Sequence, residues 1–127
     1  MATKVLIAED EKTLLDMYTI KLEKEGFEVF GAHDGEEAVN MAKSENPDII
    51  LLDIIMPKID GFTALEELRK EKSLDKTPII MLTNLGQKED LDKGKKFGAT
   101  DYLVKANTTP AEVVDKINEV LSRNNKK

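Results

Sequence analysis

Five short apolar runs alternate along this chain with segments whose apolar residues recur every three or four positions. The runs are Val5–Ala8, Phe27–Phe30, Ile49–Leu52, Ile79–Leu82 and Tyr102–Val104. Three of them are continuously apolar, the pattern of strands covered on both faces. Between and after them, Leu14, Leu15, Tyr18 and Leu22 mark one helix, and Ala38, Met41 and Ala42 a second. Phe62, Leu65 and Leu68 mark a third, Leu91 and Phe97 a weak fourth, and Val113, Val114, Ile117, Val120 and Leu121 a fifth. A strict (βα)₅ alternation predicts an α/β fold: a parallel sheet, joined by right-handed crossovers, with helices on both faces.

Local signals agree with these boundaries. Thr109-Pro110-Ala111-Glu112 combines a capping Thr, a Pro at the first helical position and a Glu at the third. Asp34 and Asp60 stand where caps of the second and third helices belong, and Asp10 is a candidate cap of the first. Gly26 and Gly98 are placed to end the first and fourth helices, and Asn46-Pro47 to stop the second. The fourth helix has only two large apolar anchors and an internal Gly94, which costs about 1 kcal/mol relative to Ala. A helix so marginal is expected to be mobile over residues 86–97 and to respond to a change in its neighbours.

At 127 residues the chain suits one domain, expected over 1–123, with 124–127 as a polar tail and no second output domain after the fifth helix. It has no Cys, so disulfides, thiolate metal sites and Cys nucleophiles are excluded. Its single His33 precedes Asp34-Gly35 and reads as a solvated loop residue. The net charge of −6 argues against nucleic acid as the main ligand. Glu9 and Asp10 interrupt the N-terminal apolar run before it reaches signal-peptide length. No stretch approaches the roughly 20 apolar residues of a membrane span, so a soluble, cytoplasmic protein without membrane insertion is expected.

In an open α/β sheet, ligands bind at the carboxyl ends of the strands. There this sequence places Glu9 and Asp10 after the first strand, Asp53 at the end of the third, Thr83 at the end of the fourth and Lys105 after the fifth. Two like charges 4 Å apart repel by about 4 kcal/mol at an effective dielectric near 20. Three converging carboxylates therefore require a cation or a bound proton. Lys105 supplies one positive charge, and an all-oxygen set suits Mg²⁺ for the remainder. The carboxylate of Asp53 is a competent nucleophile toward phosphorus, and the Thr83 hydroxyl can donate to a phosphate oxygen.

These residues resemble the receiver domain of two-component response regulators, similar to the chemotaxis regulator. The likeness is carried by Glu9-Asp10, then Leu51-Leu52-Asp53-Ile54-Ile55-Met56-Pro57 with Asp60-Gly61, then Thr83, then Gly98-Ala99-Thr100-Asp101-Tyr102-Leu103-Val104-Lys105. It extends from Lys4 to about Leu121. It implies a doubly wound, flavodoxin-like sheet in the order 2-1-3-4-5. It implies that Asp53 takes a phosphoryl group from a sensor histidine kinase or His phosphotransfer protein. Glu9, Asp10, Asp53 and the backbone carbonyl of Ile55 would surround Mg²⁺, and Lys105 would pair with the phosphate. Thr83 and Tyr102 would be the switch pair, and the face of the fourth helix, fifth strand and fifth helix would reach a downstream protein. Such a domain is a signalling switch that catalyses its own phosphorylation.

Three positions depart from the family's usual pattern. Asn84 stands where Ala or Gly is common, Ala106 replaces the Pro that usually follows the Lys, and the acidic pair is Glu9-Asp10 rather than Asp-Asp. Without Pro, a cis bond at 105–106 would cost about 2.5–4 kcal/mol, so a trans bond and a re-routed loop are expected. Taken singly, Asp53 could be a turn cap, Thr83 an ordinary strand-end residue and Tyr102 a packing residue. Asn84 and Ala106 also fit a receiver-like interaction module that never uses phosphate. Metabolic enzymes of similar topology are disfavoured: Ala8-Glu9-Asp10-Glu11 occupies the place of a dinucleotide-binding Gly motif, and no P-loop is present.

Overall fold

The computed structural model describes residues 2–84 and 88–125. Its elements are β1 Lys4–Ala8, α1 Lys12–Lys24, β2 Glu28–Ala32, α2 Gly35–Glu45, β3 Ile49–Asp53, α3 Gly61–Lys70, β4 Ile79–Thr83, α4 Lys88–Lys96, β5 Asp101–Val104 and α5 Pro110–Asn125. The five strands are parallel and ordered β2-β1-β3-β4-β5, as the resemblance implies.

Side-chain alternation along the strands builds two cores. Leu6, Ala8, Ile50, Leu52 and Met81 face one way, against Ala38 and Ala42 of α2 and Phe62, Leu65 and Leu68 of α3. Val5, Ile7, Ile49, Leu51, Ile80, Leu82 and Leu103 face the other, against Leu15, Tyr18 and Leu22 of α1 and Val113, Ile117 and Val120 of α5. Strands buried on both faces need no polar row, which is why β3 and β4 read as unbroken apolar runs.

Most of the expected caps are present. Asp34 Oδ1 accepts from Glu37 N at 2.8 Å and Asp60 Oδ1 from Thr63 N at 2.8 Å. Thr109 and Glu112 exchange the two hydrogen bonds of a capping box. Asn46 ends α2 in the left-handed region at φ 48°, and Gly26 and Gly98 take φ 93° and 100° beyond α1 and α4. Asp10 does not cap α1: the helix starts one residue later than a cap there requires, and Glu11 occupies the cap position without a side-chain bond. β2 runs from Glu28 to Ala32 rather than from Phe27 to Phe30. Gly31 and Ala32 are weak strand formers, but pairing with Ile7 and Ala8 holds them in register. Phe97 lies just past the end of α4, and residues 86 and 87 of the segment expected to be mobile lie outside the described residues. α5 continues through Asn125, two residues into the expected tail.

Candidate functional site

The register of the sheet explains why distant acidic residues meet. Ile7 of β1 pairs with Leu51 of β3, and both face α1 and α5. Two residues further along each chain come Glu9 and Asp53, which continue the same row past the last apolar pair. On the other side, Leu82 pairs with Leu103, so Asn84 and Lys105 extend that row as well. One face of the sheet thus delivers Glu9, Asp53, Asn84 and Lys105 to a single edge. They line an open cavity of about 710 Å³ together with Asp10, Glu11, Leu14, Ile55 and Ala106.

Within this cavity Lys105 Nζ lies 2.7 Å from Glu9 Oε1 and 2.8 Å from Asp53 Oδ2. Glu9 is fully buried and Asp53 is 2% exposed, whereas Asp10 lies at the surface. One carboxylate oxygen from each of Glu9, Asp10 and Asp53 falls within 4.8 Å of the others. Glu9 Oε2 accepts from Glu11 N at 3.0 Å, and Asp53 Oδ1 accepts from Ile55 N at 3.4 Å. Glu9 Oε1 is close to Lys105 Nζ as an ion pair, yet it meets no donor at hydrogen-bonding geometry.

The energetics follow from this arrangement. Burial raises the Glu9 carboxyl to about 7, the neighbouring charge of Asp53 adds to the rise, and Lys105 only partly offsets it. Burial alone would pull the Lys105 ammonium down, but its hydrogen bond to Asp53 and its ion pair with Glu9 outweigh burial and hold it above the usual lysine value. With all three carboxyls ionised, one ammonium leaves two negative charges, and the burial of Glu9 favours relieving them with a proton or a cation. A buried Glu9 oxygen beside Lys105 Nζ but off hydrogen-bonding geometry, within an all-oxygen cluster, fits a hard divalent cation. The cluster could therefore bind a metal.

One glycine and one turn shape the wall. Gly61 follows the Asp60 cap, and its N–H donates to the Ile54 carbonyl at 2.7 Å. A Cβ at Gly61 would collide with the Asp53 carbonyl oxygen and lie 2.7 Å from Ile54 Cα, so only Gly lets α3 begin this close to β3. After Lys105 the backbone makes a short 3₁₀ turn, Lys105–Asn107, with a trans peptide before Ala106.

Thr83 reaches the same edge of the sheet, 2% exposed, but by alternation it belongs to the opposite face from Asp53. It lines a second cavity of about 390 Å³ beneath α4, with Met81, Leu91, Gly94 and Tyr102 among its walls. Thr83 and Tyr102 thus share one cavity, and Tyr102 is 43% exposed at its rim. His33 is exposed, pairs with Glu37 at 3.1 Å and is not among the residues lining the acidic cavity. Glu11, Leu14 and Ala106 were not expected as cavity walls; Glu11 and Ala106 follow the ends of β1 and β5, and Leu14 comes from the first turn of α1.

Comparison with known proteins agrees with the geometry. The sequence profile of the response regulator receiver domain matches residues 5–118. The probable transcriptional regulator ycf27 of Guillardia theta is 44% identical over 97% of this chain and 47% of its own length. The alkaline phosphatase synthesis transcriptional regulatory protein PhoP of Bacillus subtilis is 37% identical over 97% of this chain and 50% of its own. The chain spans about half the length of these curated relatives. Among solved structures, the chemotaxis protein CheY4 of Vibrio cholerae superposes with a TM-score of 0.90 at 33% identity, covering 94% of this chain and 99% of that one. With that profile over most of its length, a 2-1-3-4-5 sheet and three carboxylates gathered at its edge, the chain belongs to the response regulator receiver domains, the signalling domains of two-component systems.

Proposed function

We propose that this domain is a phosphorylation switch in which Asp53 accepts a phosphoryl group from a sensor histidine kinase or a His phosphotransfer protein, with Mg²⁺ in the acidic cavity. The observation that carries this reading is the bridge of Lys105 Nζ to both Glu9 and Asp53 within a cluster where three carboxyls face that one ammonium. Glu9, Asp10 and Asp53, with the backbone carbonyl of Ile55, would hold the metal. When bound, Mg²⁺ supplies positive charge that offsets the negative charge gathering on the phosphoryl oxygens.

The chain's own residues do the rest. A carboxylate oxygen of Asp53 attacks phosphorus in line with the leaving group. The bond from phosphorus to the donor's imidazole nitrogen breaks, its electron pair returns to that nitrogen, and Asp53 becomes an acyl phosphate. Lys105 then moves its hydrogen bond from Asp53 Oδ2 to a phosphoryl oxygen, keeping the ammonium in a site that burial would otherwise make costly. Thr83, on the opposite face in the neighbouring cavity, moves toward the acyl phosphate to donate its hydroxyl to another phosphoryl oxygen, and Tyr102, which shares that cavity beneath α4, changes rotamer and carries the change to the face of α4, β5 and α5. That face controls a downstream protein by shifting the balance between two conformations. No helix among the described residues is long and apolar enough to cross a membrane, and a net charge of −6 favours protein partners over nucleic acid; cytoplasmic action follows from the proposed donors.

The test is intact-mass spectrometry after incubation with acetyl phosphate or carbamoyl phosphate and Mg²⁺. The wild-type chain should gain one phosphoryl group and the Asp53→Ala chain none; equal gain by both would overturn the reading. Asn84 and Ala106 at the cavity favour a second reading, a receiver-like interaction module independent of phosphate. Binding of beryllofluoride with Mg²⁺ separates the two, since the second requires none.

A further inference from the structure

The segment between β3 and α3, residues 54–60, carries Ile55 into the wall of the acidic cavity; Ile54 N donates to the Leu82 carbonyl at 3.2 Å at its start and Asp60 caps α3 at its end. It includes Lys58 at φ 72°, a conformation that a side chain with a Cβ adopts rarely. Its N-terminal end is held by Gly61, described above. Its far side rests on another element, the first turn of α2. There Gly35 N–H donates to the Pro57 carbonyl at 3.4 Å. A Cβ on Gly35 would collide with the Ile59 carbonyl oxygen and lie 2.5 Å from Ile59 Cγ1 and 3.1 Å from the carbonyl carbon. Two of these three contacts are backbone atoms, which cannot rotate aside. The preceding Asp34 adds a charge contact: while Oδ1 caps Glu37 N, Oδ2 lies 3.9 Å from Lys58 Nζ. The first turn of α2 and residues 57–59 are therefore fitted to one another at backbone distance.

The geometry points to Gly35 as a positioning residue for the acceptor cavity: by lacking a Cβ it lets the start of α2 close on residues 57–59 and so fixes where Ile55 stands beside Asp53. None of the site residues belongs to α2, so this role places part of the cavity's preorganisation on an element that touches neither metal nor phosphate. The inference rests on the proposed Mg²⁺ reading of the cavity, and its test separates failure of one from failure of the other.

Mg²⁺ titration by calorimetry, together with amide spectra and amide exchange of the metal-free protein, should be measured on wild type, Gly35→Ala and Leu74→Ala. Leu74 is a buried core residue away from the cavity and controls for lost stability alone. Gly35→Ala should weaken Mg²⁺ binding about tenfold, as loss of an outer-shell support does. It should also shift the Ile54, Ile55 and Ile59 amide signals and speed their exchange, while Leu74→Ala keeps wild-type affinity. A folded Gly35→Ala protein with wild-type affinity and unshifted signals would overturn the inference. If the wild type itself binds no Mg²⁺, the cavity reading fails, and the positioning role stands or falls on the metal-free amide signals. If Gly35→Ala does not fold, Ile59→Gly, which gives the segment slack at the same contact, should weaken binding in the same direction; unchanged affinity there would equally overturn it.

Discussion

Replacing Glu9 by Gln should remove a loss of stability that sets in as pH rises to neutrality, while weakening the protein's hold on Mg²⁺. Glu9 is fully buried, and burial lifts its carboxyl from 4.5 to about 7. A raised carboxyl means that the folded state binds a proton more tightly than the unfolded chain does. Between pH 4.5 and 7 the folded state therefore carries the extra proton, and stability falls as pH rises through that window. Carrying those two values from pH 5 to pH 8 costs the wild type about 2–3 kcal/mol. Gln keeps an oxygen for Glu11 N and does not titrate, but turns its NH2 toward Lys105 Nζ, a loss that is the same at every pH. Relative to the wild type, the variant should therefore gain about 2–3 kcal/mol between pH 5 and pH 8. Urea unfolding at both pH values measures the difference, since titrating groups that do not interact with Glu9 cancel between the two proteins. Saturating Mg²⁺ at pH 8 should offset that gain, because a cation stabilises the charged carboxylate of the wild type and finds one charge fewer in the variant. A stability difference that stays flat from pH 5 to pH 8 would refute the burial argument.

Further outcomes follow from the same contacts. Lys105→Met should cost about 1–3 kcal/mol at pH 8 in metal-free protein, because it leaves Glu9 and Asp53 without their common cation; Mg²⁺ should restore most of that in urea melts, while phosphoryl uptake from acetyl phosphate stays slow. Gly94→Ala should stabilise the protein by about 0.5–1 kcal/mol. The new Cβ would sit 3.6 Å from Ala99 Cβ and Met81 Cγ, ordinary contact distances, and amide exchange over residues 88–96 should slow. Arg69→Met should cost about 2–4 kcal/mol in the same melts, because the guanidinium donates to the Leu74, Thr77 and Gly98 carbonyls at 2.9, 2.7 and 3.0 Å, and of these the Leu74 carbonyl keeps Thr77 N at 3.2 Å. Arg69 ties the end of α3 to the turns before β4 and β5, so equal stability would show those turns to be held by other means.

The order of strands and helices was legible in the sequence because each element carries its own periodicity and its own stop signals. The unbroken apolar runs of β3 and β4 required cover on both faces, and Asp34, Asp60 and Thr109 capped their helices because a cap needs only the next three residues. The residues of the acidic cavity were legible too, since a parallel sheet collects whatever follows each strand at one edge. Local sequence did not reveal the parity of that edge. That Asn84 rather than Thr83 lines the acidic cavity depends on which face Leu51 and Leu82 present, and register between strands is a long-range property. The same holds for the extent of β2, which pairing with β1 extends through Gly31 and Ala32, and for the donors of Arg69, whose partners lie up to 31 residues away. The sequence named Glu9 as an acid. Only the tertiary packing around it removed the water that would have kept its carboxyl at an ordinary value, and that loss of solvent is what makes a proton or a cation favourable in the cavity.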